Sequence, residues 1–173
     1  GEVGLRVARR ARAFGMHVVA SDPVRLEWES AVEDLEIRLA PTDEVLRSAQ
    51  FLSLHAPLTP ETKHLIRAET IATMPKGAYL INTARGELVH NGDLVAALKS
   101  GQLAGAVLDV TDPEPLPEGH VLRLVDKLWI TPHVAGLTAE AQEAVGIRVA
   151  EGVLKLLSPS RPAEAGRGIG VRE

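Results

Sequence analysis

Cysteine is missing from all 173 residues, which excludes disulfides, thiolate metal sites and a cysteine nucleophile and suits a reducing, cytoplasmic setting. Aromatic residues are scarce, at 3%, so a core has to be built from Val, Leu, Ile and Ala. A basic excess is lacking too. The 19 Lys and Arg are outnumbered by 23 Asp and Glu, and a net charge of −4 leaves no electrostatic footprint for nucleic acid. No apolar run approaches the roughly 18 residues of a membrane span. The basic start (Arg6, Arg9, Arg10, Arg12) is not followed by the apolar stretch and small-residue cleavage site of a signal peptide. What is present is ordinary globular material, 45% apolar and 24% charged, with the length of one domain rather than two.

Short apolar runs alternate with stretches of helical period. Val3, Val7, Ala11 and Phe14 form an apolar stripe at helical spacing, and Gly15 ends that helix. Residues 17–21, 35–39, 51–54, 78–82, 104–110 and 128–130 read as strands, rich in Val, Leu, Ile and Ala. Helices are expected over 44–48, capped by Thr42 or Asp43, over 93–99, closed by Gly101, and over 138–157, with Thr138 as N-cap and Glu140 in the first turn. This alternation predicts an α/β fold, a parallel sheet with helices on both faces. In such sheets ligands bind beyond the C-terminal ends of the strands. The polar motifs fall there: Asp22-Pro23, His55-Ala56-Pro57, Thr83-Ala84-Arg85-Gly86, Asp109 and His133. Residues 158–173, rich in Pro, Gly, Arg and Ala without periodicity, are expected to form an extended or disordered arm after a domain spanning 1–157.

Gly1-Glu2-Val3-Gly4 opens directly onto the first helix, and Asp22 follows a strand 18 residues after Gly4. This is the pattern of a Rossmann fingerprint in which Gly1 and Gly4 are the second and third glycines. The second glycine lets backbone approach a pyrophosphate, the third lets the helix pack on its strand, and the helix N-terminus faces the anion. Asp22 would accept hydrogen bonds from the adenosine ribose, and its charge would repel a 2′-phosphate, which favours NAD over NADP. Glu2 suits a pyrophosphate only if its side chain turns to solvent while its N–H faces inward. Read alone, the same residues are a turn and a strand-ending loop. On the fingerprint reading the first glycine and the sheet's first, central strand are expected to lie before Gly1.

Arg85, Glu114 and His133 each follow a strand. Singly they read as well as a solvated loop arginine, an exposed loop glutamate and a satisfied core histidine. Together they match the needs of 2-oxoacid reduction. A guanidinium holds a carboxylate bidentately. An imidazolium donates the proton as hydride reaches the carbonyl carbon. A carboxylate fixes the imidazole's tautomer. No metal is expected, and His17, His64, His90 and His120 read as structural or surface residues.

The stretches ARAFGMHVVASDP (11–23), LHAPLTPET (54–62), MPKGAYLINTARGELV (74–89), LKSGQLAGAVLDVTDPEP (98–115) and ITPHVAGLTAEAQ (130–142) give a clear resemblance to the D-isomer-specific 2-hydroxyacid dehydrogenases, over residues 1 to about 157. The resemblance implies an NAD-dependent oxidoreductase domain with a Rossmann-like doubly wound sheet. In it Arg85 binds the substrate carboxylate, Glu114 orients the histidine, and His133 is the acid/base. Gly1, Glu2, Val3, Gly4, Asp22, Pro23, His55, Ala56, Pro57, Thr62, Thr83, Ala84, Arg85, Asp109, His133 and Gly136 are assigned to the cofactor, with Asp109 on the nicotinamide carboxamide. It also implies a homodimer of the longer protein, and a small 2-hydroxy or 2-oxo acid as substrate. The Ala135-Gly136-Leu137-Thr138 context is similar to the phosphoglycerate, glyoxylate and hydroxypyruvate branch. Thr111 stands where the family commonly has an aromatic residue, an exchange expected to loosen packing beside the cleft, and His90 where an acidic residue is common. The family's substrate domain is absent from the sequence. Two further readings belong beside the enzyme: a dinucleotide-sensing, corepressor-like module that binds a protein partner, and an inactive truncated product.

Overall fold

The computed structural model describes residues 1–23, 32 and 34–157. In chain order the elements are α1 (Glu2–Ala13), β1 (Val19–Ala20), β2 (Arg38–Leu39), α2 (Thr42–Ser48), β3 (Phe51–Leu54), α3 (Ala68–Thr73), β4 (Ala78–Asn82), α4 (Asn91–Ser100), β5 (Leu103–Leu108), β6 (Leu128–Ile130) and α5 (Ala139–Leu157). Single 3-10 turns cover Gly86–Leu88 and Val121–Leu124. The expected arm over residues 158–173 lies outside the described residues.

All the strand pairs are parallel, as the alternation of elements predicts. They form two sheets, β1-β2 and β3-β4-β5-β6, so β1 and β3 are both edge strands among the described residues. Leu52, Leu80, Ala106 and Leu128 lie in register across the four-stranded sheet. Leu52, Leu80 and Ala106 are buried, and Leu46 of α2, Ile71 of α3 and Leu94, Val95 and Leu98 of α4 join them in one core. Each fully buried leucine contributes on the order of 1.5–3 kcal/mol, which is how a chain so poor in aromatics holds its sheet.

Several boundaries differ from the sequence reading. The strand expected over 35–39 shortens to Arg38–Leu39 because Glu36 takes φ +51 in a turn, its carboxylate paired with Arg12. Thr42 and Asp43 are not caps: Pro41 holds the N-cap position of α2, and Thr42 instead shares a hydrogen bond with Ser21 at 2.9 Å. The stripe expected to bury α1 is exposed at Val3, Val7 and Phe14, while Ala8 is the buried residue. The packed face of α1 is the small-residue one, Gly4 and Ala8. At the start of α3 the Thr70 hydroxyl accepts Arg67 N–H at 2.9 Å, a local cap that sequence reading passed over. The first amide of the helix, Ala68 N–H, is capped at 2.8 Å by Asp93 of α4, which sequence reading treats only as a helix residue.

Contacts divide the chain into Gly1–Ala135 and Gly136–Glu173. In the second unit Thr138 Oγ1 accepts the Ala141 amide at 3.1 Å, the N-cap expected, and Glu140 lies in the first turn of α5. No described helix is long and apolar enough to cross a membrane.

Candidate active site

The strand-end loops of the first unit converge as the parallel topology requires. A cleft of about 530 Å³ opens between α1 and the ends of β3 and β4. It is lined by Val3, His55, Ala56, Pro57, Leu58, Thr83, Ala84 and Arg85. All but Leu58 are residues the sequence assigns to the site.

Each wall has a local cause. Asn82, the last residue of β4, is fully buried, and its amide braces the turn that follows. Asn82 Oδ1 accepts Ala84 N–H at 3.0 Å and Asn82 Nδ2 donates to Arg85 O at 2.8 Å. Sequence reading missed this role, though a polar residue closing an otherwise apolar strand was its signal. Thr62 does not line the cleft; its hydroxyl donates to Pro57 O at 2.7 Å and so shapes the Pro57 turn. His55 Nε2 and Ser53 Oγ are 2.9 Å apart. Burial lowers the His55 pKa and favours its neutral form.

The α1 end of the cleft fits a dinucleotide. Val3, in the first turn of α1, lines the cleft, so the helix start borders it. Gly4 faces His55, whose Cβ would lie 3.6 Å from a Cβ placed there. Asp22, two residues beyond β1, places Oδ2 2.8 Å from the backbone nitrogen of Gly1, the N-cap residue of α1. The Glu2 carboxylate pairs with Arg6 at 2.5 Å, turned along the helix. Pro23 follows as an exposed residue.

Glu114 and His133, from the loops after β5 and β6, meet with Oε1 2.7 Å from Nδ1. A carboxylate only accepts, so Nδ1 carries the proton. The hydrogen bond to His133, aided by the Thr111 amide and opposed by some desolvation, holds the Glu114 carboxyl below its usual range. His133 itself sits at φ +55, a costly conformation for a residue with a side chain, and one that persists only where neighbours impose it.

Asp109 imposes it. It is 4% exposed. Its Oδ1 accepts Thr131 Oγ1 at 2.5 Å and Val134 N–H at 2.9 Å, and its Oδ2 accepts Ala135 N–H at 2.9 Å. Burial pushes the Asp109 carboxyl up, but these bonds and nearby His133 outweigh it and hold the group below its usual range. Asp109 is thus first the anchor of the His133 loop. A nicotinamide carboxamide would have to share an oxygen already in use. Gly136, assigned to the cofactor from sequence, belongs to the second unit, where its carbonyl accepts Gln142 Nε2 at 2.9 Å.

The expected loosening at Thr111 is absent. Thr111 is buried, and its hydroxyl donates to Pro113 O at 3.0 Å. His64 and His90 stack edge to face away from the cleft lining, and His120 Nδ1 caps the turn at Leu122. Among the described residues no group of three or more His, Asp and Glu could hold a metal ion.

Comparison with known proteins agrees with this geometry. Residues 1–135 match the family profile described as D-isomer specific 2-hydroxyacid dehydrogenase, NAD binding domain. The chain is 42% identical over 158 residues to D-3-phosphoglycerate dehydrogenase of Methanocaldococcus jannaschii, covering 91% of this chain and 30% of that protein. It is 39% identical over 160 residues to hydroxypyruvate reductase of Thermotoga maritima, covering 91% and 50%. Among solved structures, the NAD-complexed D-isomer specific 2-hydroxyacid dehydrogenase of Lactobacillus delbrueckii ssp. bulgaricus superposes with a TM-score of 0.77 at 34% identity, over 92% of this chain and 53% of that one. The chain thus spans between 30% and 50% of the length of these two curated relatives. With its profile matched over residues 1–135, the chain belongs to the D-isomer-specific 2-hydroxyacid dehydrogenases, as their NAD-binding domain.

Proposed function

We propose that this chain is the cofactor half of an enzyme that moves a hydride between NAD and the C2 carbon of a small 2-hydroxy or 2-oxo acid. The observation that carries this reading is the Glu114–His133 pair at 2.7 Å, on the loops next to the one that bears Arg85. When bound, NAD supplies the hydride or accepts it. The residues of the chain do the rest. Arg85 holds the substrate carboxylate through its planar fork of donors. His133, with Nδ1 engaged by Glu114, exchanges a proton with the C2 oxygen through Nε2, giving it up in reduction and taking it in oxidation. Glu114 fixes the tautomer. Asp109 holds the loop that carries His133. The amides at the start of α1 receive the pyrophosphate, and Asp22 receives the ribose hydroxyls while its charge opposes a 2′-phosphate.

The names of the relatives suggest glyoxylate, hydroxypyruvate or a 3-phosphoglycerate-type acid as substrate. Residues 1–157 acting as one NAD-binding domain, in a cytoplasmic homodimer of a longer protein, complete the reading. They are supported by the family resemblance and the lack of cysteine. The experiment is His133→Ala in the full-length protein, assayed with NADH and hydroxypyruvate. Turnover is expected to fall by about 10²–10⁴-fold with NADH binding largely kept. Near-normal turnover would remove His133 as acid/base, and binding of NADH without any turnover in the unmutated protein would favour a sensing module instead.

A further inference from the structure

Two prolines thin the donors of the loop that carries Glu114. In Thr111-Asp112-Pro113-Glu114-Pro115, positions 113 and 115 have no N–H, so the backbone donors are the amides of 111, 112 and 114 alone. Thr111 adds the loop's one hydroxyl, and it spends both of its donors within the loop. The Thr111 hydroxyl donates to Pro113 O at 3.0 Å, and its amide points at Glu114 Oε2 at 3.4 Å. The second contact is long for a hydrogen bond, so the hydroxyl carries most of the closure. Glu114 presents its other oxygen, Oε1, to His133 at 2.7 Å.

The base of the loop is held from the side of Arg85. A Cβ on Gly86 would lie 2.2 Å from the carbonyl carbon and oxygen of Thr111, so the two backbones touch where Gly86 passes. Asn91 Nδ2 donates to Asp112 O from the start of α4. One face of Thr111 is therefore fixed to the strand end that bears the guanidinium, while its amide faces the Glu114 carboxylate and its hydroxyl ties the Pro113 carbonyl beside it.

We propose that Thr111 is a positioning residue for the acid/base pair, its hydroxyl closing the Thr111–Glu114 turn so that the Glu114 carboxylate is held against His133 Nδ1. The inference rests on the acid/base reading of His133. It goes beyond that reading by assigning a role to a side chain that touches neither substrate nor cofactor and that departs from the residue type the family commonly has there. A threonine serves because it is small enough to be buried beside Gly86 and still brings a donor to a loop that prolines have stripped.

The test compares Thr111→Val, which keeps the shape and removes the hydroxyl, with Thr111→Ser, which keeps the hydroxyl. Thr111→Ala carries the same comparison if the valine protein does not fold. In cofactor-free full-length protein, carbon NMR follows the titration of the Glu114 carboxyl; with NADH and hydroxypyruvate, kinetics separate kcat from KM. In the valine protein the Glu114 titration is expected to move up toward the ordinary carboxylate range. Its kcat is expected to fall about 3- to 10-fold, the worth of one neutral hydrogen bond, with the KM for NADH unchanged. Serine should restore both. An unchanged Glu114 titration in the valine and alanine proteins would overturn the proposal. So would a serine protein as impaired as the valine one, since methyl packing would then be the cause. If the His133→Ala protein keeps its turnover, the acid/base reading falls by itself, while the Glu114 titration still reports on Thr111.

Discussion

Arg85 and Asp109 show how two charged side chains in one cleft are put to opposite uses. Arg85 is exposed, and its Nη1 donates only to the neighbouring Ala84 carbonyl, at 2.5 Å. It remains available to a carboxylate. Arg85→Ala is expected to raise the KM for the 2-oxoacid by about 10- to 100-fold, the worth of a charge-assisted pair, with NADH affinity kept. Steady-state kinetics check this, and unchanged hydroxypyruvate kinetics would remove Arg85 from the substrate. Asp109 is buried and already spent on three bonds. Its carboxyl titrates below its usual range in the folded protein, so the stability it adds is complete above that range, where folded and unfolded states are both ionised. As the pH falls, the unfolded chain takes up the proton first, and the contribution is lost on the way down to the folded-state value. Thermal melts taken from about pH 6 to pH 3 should therefore steepen in their acid limb for the unmutated protein and flatten for Asp109→Asn. Parallel curves would show that Asp109 does not hold the loop.

One glycine is required at the scale of the elements. Gly86 lies where the β4 loop crosses the backbone of Thr111, and the atoms a Cβ would strike cannot yield by a rotamer change. Gly86→Ala is expected to cost about 3 kcal/mol or more and to disturb Glu114 along with it. Denaturant titrations check this, and an unchanged midpoint would contradict the packing described.

The elements also show what was legible in the chain. Phe51–Leu54, Ala78–Asn82 and Leu128–Ile130 have the bounds read from their apolar runs, although only alternate residues are buried and Phe51, Tyr79 and Trp129 are exposed. The six-residue α3 left no such trace. It is too short for a periodic pattern, and its first amide is capped by Asp93, 25 residues from Ala68. The apolar stripe of α1 stays exposed at Val3, Val7 and Phe14, while Ala8 is buried and Gly4 faces His55. Among the site residues, Arg85, Glu114 and His133 stood out by chemical type, but Asn82, Asn91 and Thr111 look like ordinary loop polars until their partners are seen.

Stability across the whole molecule should be uneven. The sheet β3-β4-β5-β6 carries Leu80 and Leu103 at 0% exposure, whereas β1 and β2 are two residues each and pair only with one another. Hydrogen exchange in the cofactor-free protein is expected to be slowest at the amides of β4 and β5 and much faster in β1 and β2. Uniform protection would mean that the two sheets open as one unit. Binding of NAD should narrow the gap, since Asp22 just beyond β1 and the cleft beside β3 would then share a ligand.

The sequence by itself determined the α/β class, the parallel order of the elements and the chemical types gathered at the strand ends. These follow from apolar periodicity and from residue identity, both of which are local along the chain. Only the tertiary structure decided that Asp109 holds the His133 loop, that Gly86 passes against the backbone of Thr111, and that Asn82 braces the turn after β4. The first two depend on hydrogen bonds and close approaches between segments distant in sequence, and a distance of that kind has no imprint on the chain until it folds.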